Sequence, residues 1–295
     1  MTILNVSKRP VLTALVALPV LAALIGWFSW PSRPEAVDDE RILAEGITYT
    51  RRVLTEPRRL MFHTIEIDLT VAGRSIMVTP PSPKEGHELS AATVRDFAKT
   101  HNAQVAINGS FFEPFEGSSL FNYYPQDGDP VNVYGLTISN GEPYSTDSKV
   151  LPVFCVHEGK ALITRRGCPK GTQEALAGRP LLVWEGRSLP ATRGAAANRP
   201  SPRTAVGINK DGTRLWMFAV DGRQEGYSNG VTLPELAGLV RVPGVHTALN
   251  LDGGGSTTMV GRVSDKVEVL NSPIHTRIPM RERPVANHLG VVDGL

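Results

Sequence analysis

Short strand-like segments, most of them closed by turn-forming residues, dominate this sequence. Residues 47–54 and 61–69 are typical, and in the second segment Phe62, Ile65 and Ile67 mark an alternating apolar pattern. Gly, Pro, Asn and Asp punctuate nearly all of these segments. Nine more have the same character: 76–79, 104–107, 131–138, 150–156, 181–184, 204–208, 215–220, 248–251 and 257–261. The pattern predicts a sheet-rich domain.

Two helices are predicted beside these strands. The first follows Ser90 as its N-cap, and the second opens at Thr232. Both have apolar residues at helical spacing: Val94, Phe97 and Ala98 in the first, and Leu233, Leu236, Ala237 and Val240 in the second. Many strands with few helices predict the α+β class. We expect one domain over residues 46–295.

An uncharged N-terminal stretch predicts the compartment. Residues 11–30 carry no charge, and a helix of about 20 such residues can cross a bilayer. Lys8 and Arg9 precede the stretch and acidic residues follow it, which by the positive-inside rule keeps the N-terminus cytoplasmic. We therefore expect a cytoplasmic stub with a single transmembrane helix in residues 1–30, a tether in residues 31–45, and a periplasmic or cell-surface domain. A cleaved signal peptide is the alternative.

Charge and cysteine content restrict the partners. Lys plus Arg number 31 and Asp plus Glu 29, so without Lys8 and Arg9 the chain is neutral and has no field suited to nucleic acid. The two cysteines, Cys155 and Cys168, are expected to form a disulfide in an exported domain. The histidines show no HxxxH or HExxH spacing, so we expect neither a metal site nor a cofactor.

The most informative stretch is residues 248–258, where a buried strand runs into an acid, three glycines and three hydroxyl side chains. The residues after the strand are Asp252, Gly253, Gly254, Gly255, Ser256, Thr257 and Thr258. Successive glycines permit left-handed backbone, and their amides can form a nest that binds an anion. The stretch lacks the lysine of a phosphate-binding P-loop and the second glycine of a nucleophile elbow. A plain glycine-rich hairpin is the alternative.

Other polar residues lie at predicted strand ends. Asn108 follows one strand, Arg203 precedes another, and Asp221 follows a third. Asp221 precedes a glycine, a pair that most often simply forms a turn. Glu235 lies three residues after Thr232, the spacing of a capping box, so a structural role is as open to its carboxylate as a catalytic one.

Seven motifs follow one another between about residues 102 and 292: AINGSFF, PRTAVG, VDGR, VTLPELA, ALNLDGGGSTTMV, NSP and RERPVAN. Together, and in this order, they resemble the phosphodiester glycosidase domain family, with Ser110 where a second glycine is usual. The resemblance implies a twisted mixed β-sheet core with few flanking helices. It also implies hydrolysis of a sugar-1-phosphodiester at the glycosidic bond, on an exported glycan or envelope polysaccharide.

Cleavage at an anomeric carbon develops oxocarbenium character and expels a phosphate. The site then needs a carboxylate near the sugar and cationic or amide donors near the phosphate. We expect Asp252 to act as nucleophile or base, with Asp221 or Glu235 as its partner. The expected substrate-binding residues are Asn108, Arg203, Gly253, Gly254, Gly255, Ser256, Thr257 and Arg283. Two other functions remain open: a non-catalytic polysaccharide-binding or scaffolding protein, and a metal-dependent phosphodiesterase.

Overall fold

Antiparallel sheets make up most of the structure, a computed structural model that describes residues 31–117, 119–145, 150–190 and 195–294. The strands are β1 (Asp39–Ala44), β2 (Ile47–Leu54), β3 (Leu60–Asp68), β4 (Arg74–Val78), β5 (Leu89–Ser90), β6 (Val105–Asn108), β7 (Phe112–Glu113), β8 (Glu116–Gly117), β9 (Tyr123–Tyr124), β10 (Pro130–Val133), β11 (Thr137–Ser139), β12 (Glu142–Ser145), β13 (Val153–His157), β14 (Lys160–Thr164), β15 (Glu174–Ala177), β16 (Leu181–Trp184), β17 (Arg187–Ser188), β18 (Arg203–Ile208), β19 (Arg214–Val220), β20 (Thr247–Asn250), β21 (Met259–Val263), β22 (Lys266–Val269) and β23 (His288–Asp293). The helices are α1 (Val94–Thr100), α2 (Ala195–Asn198) and α3 (Leu233–Leu239), and 3₁₀ turns lie at Gly254–Ser256 and His275–Arg277.

The strands form five sheets. The largest has eight strands in the order β1-β2-β3-β19-β18-β20-β16-β17. Two sheets have five strands each, in the orders β22-β21-β6-β23-β4 and β12-β11-β15-β13-β14, and the small ones are β5-β10-β7 and β8-β9. All these neighbouring strands pair antiparallel.

The main core contains residues of the eight-stranded sheet and of both five-stranded sheets. Ile65 and Met217 enter it from the first, Ile107 and Leu289 from the second, and Phe154 from the third. Each is fully buried. Burial of one such side chain contributes about 1.5–3 kcal/mol, so this shared core holds the three sheets together.

β19 shows why the central strands are apolar at nearly every position. Met217 lies in the core shared by the three sheets, whereas Trp216 and Phe218 lie in a second cluster on the other face. Successive side chains alternate between the faces of a strand, so a strand covered on both faces must be apolar throughout. Leu236 of α3 belongs to the second cluster, so this helix covers that face.

The α+β class and the mixed sheet were wrong expectations. Within the described residues the α-helices have only seven, four and seven residues. Parallel strands need long crossover connections, usually helical, whereas antiparallel strands are joined by short turns. The named strands of the described residues pair antiparallel, so the sheets need no helical crossovers and the structure is mainly β.

The predicted transmembrane helix is likewise unsupported. No helix within the described ranges is long and apolar enough to span a membrane. The predicted span, residues 11–30, lies outside the described residues. Within the segment predicted as a tether, Asp39–Ala44 forms β1 and pairs with β2. The described residues from Pro34 onward belong to one compact unit.

Several local predictions are confirmed and two are corrected. Thr232 caps α3 with the predicted capping box, and Cys155 and Cys168 form a disulfide. The N-cap of α1 is Thr93 rather than Ser90, because the Thr93 hydroxyl accepts from the amide of Asp96 at 3.1 Å. The segment 131–138, predicted as one strand, is divided into β10 and β11.

Candidate active site

Strand ends bring three of the sequence motifs together. The chain leaving β20 passes between the start of β18 and the end of β6. The amide of Leu251 donates to the carbonyl of Thr204 at 2.9 Å, and the amide of Asp252 donates to the carbonyl of Gly109 at 3.0 Å. These backbone bonds fix the start of the glycine-rich turn between two sheets.

Asp252 is held in one orientation at the start of this turn. Its Oδ1 accepts from the amide of Gly253 at 2.8 Å, and its Oδ2 accepts from the hydroxyl of Ser256 at 2.6 Å. Desolvation raises the pKa of this carboxyl, while Ser256, Arg283 and Arg223 act in the opposite direction. The side chain is half-buried and lines a cavity of about 410 Å³. It is therefore a fixed, ionisable group with access to a ligand.

Arginines surround this carboxylate. The cavity beside Asp252, here called the Asp252 cavity, is also lined by Arg199, Arg203 and Arg223. Among the described residues that line it, Asp252 is the sole acid. Desolvation and the charge of Arg223 lower the pKa of Arg203, and Asp252 opposes them. One carboxylate thus faces several cations.

Arg283 is connected to Asp252 through a shared hydroxyl. Its Nη1 donates to Ser256 Oγ at 3.1 Å, and that hydroxyl donates in turn to Asp252. Its Nε donates to Nδ1 of His275 at 3.2 Å, and its guanidinium lies 4.3 Å from the ring centroid of Phe115. Burial lowers the pKa of Arg283 to about 10, so it is charged at neutral pH.

The glycines allow Arg283 to lie against the turn. A Cβ on Gly255 would be 2.4 Å from Nη2 of Arg283, and a Cβ on Gly253 would be 2.8 Å from the carbonyl oxygen of Pro202. Gly254 has φ +66°, which favours glycine. Close packing therefore requires this glycine run.

The amides of the turn differ from the predicted anion nest. Gly253 N donates to Asp252, and Gly254 N donates to the carbonyl of Pro202 at 2.9 Å. Those two donors are used within the protein. The arginine side chains that line the cavity are the positively charged groups available to an anion here.

A second cavity adjoins the first at Arg223, which lines both. This arginine cavity measures about 590 Å³ and is also lined by Arg277, Arg283 and His275. Arg223 and Arg277 have φ +59° and +65°. Left-handed backbone costs a residue with a side chain about 1–2 kcal/mol, and such strain clusters at functional sites.

Asp221 lies outside both cavity linings. It is fully buried and accepts from Asn271 Nδ2 and from the amide of Ser272, each at 2.9 Å. Its Oδ2 lies 3.0 Å from Nε2 of His63. Asn271 also donates to the carbonyl of Thr257 at 3.1 Å. Asp221 therefore supports the glycine-rich turn through Asn271 and makes no contact with the cavity.

Glu235 is also absent from the lining of both cavities. Its Oε2 accepts from the amide of Thr232 at 2.8 Å and forms an ion pair with Arg58. The pKa of Glu235 is lowered overall. Partial burial acts to raise it, but the hydrogen bonds from Arg58 and Thr232 have the larger combined effect. Its contacts are those of a helix cap.

Asn108 supports the turn from the end of β6. It is fully buried, its Nδ2 donates to the carbonyl of Asp252 at 2.7 Å, and its Oδ1 accepts from the hydroxyl of Thr204 at 2.8 Å. The hydroxyl of buried Thr257 lies 3.3 Å from the Thr204 hydroxyl, which can accept its proton. Asn108 and Thr257 are thus placed to position Asp252, and neither lines a cavity.

Sequence reasoning missed Arg199, Arg223, His275 and Arg277. Arg223 ends the VDGR motif, which was a signal for it. Arg199 and Arg277 had no such signal, because their role depends on which distant segments meet. Within the ranges described, no group of three or more His, Cys, Asp or Glu residues is arranged to hold a metal ion.

The sequence matches the phosphodiester glycosidase family over residues 101–292, and the chain belongs to this family. N-acetylglucosamine-1-phosphodiester alpha-N-acetylglucosaminidase of Mus musculus is 30% identical over 192 residues, which cover 57% of this chain and 34% of the mouse protein. The Homo sapiens protein of the same name is 30% identical over 184 residues, with the same coverage. The chain thus spans about a third of the length of these curated relatives.

A solved structure agrees with the fold. The zebrafish N-acetylglucosamine-1-phosphodiester alpha-N-acetylglucosaminidase catalytic domain, auto-inhibited by its pro-peptide, superposes with a TM-score of 0.60 at 21% identity. The match covers 89% of this chain and 85% of the zebrafish chain. At this identity the likeness establishes the shared fold.

Proposed function

We propose that this chain hydrolyses a sugar-1-phosphodiester at the bond between the anomeric carbon and the phosphate oxygen. The observation that carries the proposal is a single carboxylate, Asp252, facing a cavity otherwise rich in arginine. Membership of the phosphodiester glycosidase family supports the same reaction. The sugar would lie against Asp252, and the phosphate against the arginines.

The charges suit the reaction. A phosphodiester carries one negative charge, and the phosphate monoester that leaves carries up to two, so negative charge develops on the phosphate in the transition state. Arg203, Arg223 and Arg283 are placed to stabilise it. A planar guanidinium can hold two phosphate oxygens at once.

Asp252 acts on the sugar side as nucleophile or base. As nucleophile, its oxygen bonds to the anomeric carbon while the bond to the phosphate oxygen breaks and its electron pair leaves with the phosphate. Water then releases the sugar with its configuration retained. As base, Asp252 takes a proton from an attacking water, and the configuration inverts. The phosphate is a good leaving group, so neither route requires Asp221 or Glu235 as a strong acid.

The proposed substrate is an exported glycan or envelope polysaccharide. Support for this compartment comes from the disulfide between Cys155 and Cys168, since disulfides persist mainly in oxidising environments. Alkylation of unreduced, denatured protein from its native compartment tests the point. We expect both thiols to be blocked, and free thiols would contradict it.

Hydrolysis in ¹⁸O-labelled water tests the reaction itself. A panel of sugar-1-phosphate methyl diesters is incubated with the protein, and the products are analysed by mass spectrometry. We expect the label on the anomeric hydroxyl of the sugar. Label in the phosphate would indicate a phosphodiesterase, and absence of turnover across the panel would favour a binding protein. The anomeric configuration of the product separates the two roles of Asp252.

A further inference from the structure

The arginine cavity is larger than a phosphate group requires. Arg223 lines both cavities, whereas Asp252 lines only the smaller one. A substrate with its sugar beside Asp252 and its phosphate near Arg223 would extend its leaving group into the arginine cavity. This placement rests on the proposed function.

The charge in this cavity exceeds what a phosphodiester can neutralise. Arg223, Arg277 and Arg283 line it, and its described lining contains no Asp or Glu. In the part of the chain that the structure describes, no hydrogen bond or ion pair joins the guanidinium of Arg277 to another side chain. Arg277 thus places a positive charge at the cavity, and no carboxylate among the described lining residues balances it.

The backbone at Arg277 has a conformation that is unfavourable for a residue with a side chain. Thr276 and Arg277 follow one another with φ +50° and +65°, in the region that favours glycine. The strain is localised in the segment that brings Arg277 and His275 to the cavity wall.

His275 adds a buried donor. Its Nδ1 accepts from Arg283, which assigns the ring proton to Nε2, and burial with the charges of Arg283 and Arg281 lowers its pKa to about 3. Nε2 is buried and has no hydrogen-bond partner among the described residues. A neutral N–H in this position suits an acceptor oxygen of a ligand.

Part of the cavity wall is apolar. Phe115 and Leu120 line the cavity, and each is 45% exposed. Aromatic and aliphatic surfaces pack against the C–H faces of sugar rings and against alkyl chains. An anionic group would meet Arg277, while the chain that carries it would lie along this wall.

We propose that the arginine cavity binds the leaving group of the substrate, and that this group carries a second anion, a carboxylate or phosphate, held by Arg277. The substrate class is then an acidic glycan rather than a neutral glycan with one isolated phosphodiester.

Two matched probes test this inference. Both are sugar-1-phosphodiesters with the same alkyl leaving group, which ends in a carboxylate in one and in a carboxamide in the other. Calorimetry on the Asp252→Asn protein measures their affinity without depending on turnover. We expect the carboxylate probe to bind about 10-fold or more tightly, with the preference shrinking as ionic strength rises. Equal affinity would overturn the inference.

Variants assign the preference to Arg277. In the same background, Arg277→Gln is expected to bring the affinity ratio to within about twofold of unity, and Arg277→Lys to retain part of the preference. Arg187→Gln, on exposed strand β17, is the matched control and should keep the full ratio. A ratio unchanged by Arg277→Gln would contradict the proposal. Failure of the ¹⁸O experiment with a normal affinity ratio would reject the reaction but retain the anion site.

Discussion

Asp221 and Asp252 have similar sequence contexts but opposite surroundings. Each lies within two residues of the end of a strand of the eight-stranded sheet, Asp221 after β19 and Asp252 after β20, and each precedes a glycine. Asp252 lines a cavity among arginines, whereas Asp221 is fully buried. Among the described residues, the carboxylate oxygens of Asp221 meet His63, Asn271 and Ser272, and those of Asp252 form hydrogen bonds within its own turn.

The difference shows that tertiary structure decides which of two similar carboxylates lies beside a cavity and can meet a ligand. Asp221 connects β3 and β19 to the segment at Asn271, which in turn reaches the carbonyl of Thr257. Asp221 therefore stabilises the glycine-rich turn indirectly, through Asn271. Asp252 has local partners on one side and a cavity on the other, so it can meet a substrate.

The largest effect on stability is expected from Asp221→Ala. This change leaves buried His63, Asn271 and the amide of Ser272 without their acceptor, and the expected loss is about 3–5 kcal/mol in the free energy of unfolding. Asp221→Asn should lose less, about 1–3 kcal/mol, because it keeps one acceptor oxygen. Urea denaturation measures both. An Asp221→Asn protein with normal stability but no turnover would contradict a purely structural role for Asp221.

The next effect concerns the phosphate side. Arg203→Lys keeps the charge but loses the planar fork, so kcat/KM should fall about 10- to 100-fold while the fold is retained. Arg214→Lys is the matched control, because Arg214 starts β19 at the end opposite Val220 and pairs with Glu66. Steady-state kinetics on a methyl diester substrate decide the point. Equal kcat/KM for the Arg203 and Arg214 variants would remove Arg203 from phosphate binding.

A smaller effect is expected in the pH profile. In the proposed mechanism ionised Asp252 is the active form, so activity should fall as the pH drops through its pKa, which burial has raised. Ser256→Ala removes a hydrogen bond that lowers this pKa. The acidic limb of kcat/KM should therefore move to higher pH in Ser256→Ala and stay in place in Glu235→Gln. A shift to lower pH would show that another group controls the limb.

The smallest effect is expected at Glu235. Glu235→Gln keeps a side chain that can complete the capping box but loses the ion pair with Arg58. Stability should change by about 1 kcal/mol or less, and turnover should stay within about twofold. Thermal unfolding and kinetics check these values. A large loss of turnover here would return Glu235 to the list of catalytic groups.

Local patterns carried much of the prediction. β2 (Ile47–Leu54) and β16 (Leu181–Trp184) have their predicted bounds, because alternation and turn residues are written into neighbouring positions. The same holds for the cap at Thr232 and for the placement of Asp252 at a strand end.

Long-range contacts account for what was missed. Whether Asp221 or Glu235 faces a substrate depends on His63 and Arg58, which lie far away in the chain. The role proposed for Arg277 depends on a cavity that it lines together with Arg223. The spacing of residues in the sequence does not show which distant segments come into contact. The direction of strand pairing also depends on distant segments, so the expectation of a mixed sheet was wrong for the same reason.

Asp252→Asn tests the central claim most directly. The change keeps the volume of the side chain but removes its charge, so turnover of a sugar-1-phosphodiester should fall by a factor of about 10² to 10⁴. The free energy of unfolding should change by about 1 kcal/mol or less, since the turn keeps its backbone hydrogen bonds. Turnover within a few-fold of the unsubstituted protein would contradict a chemical role for Asp252.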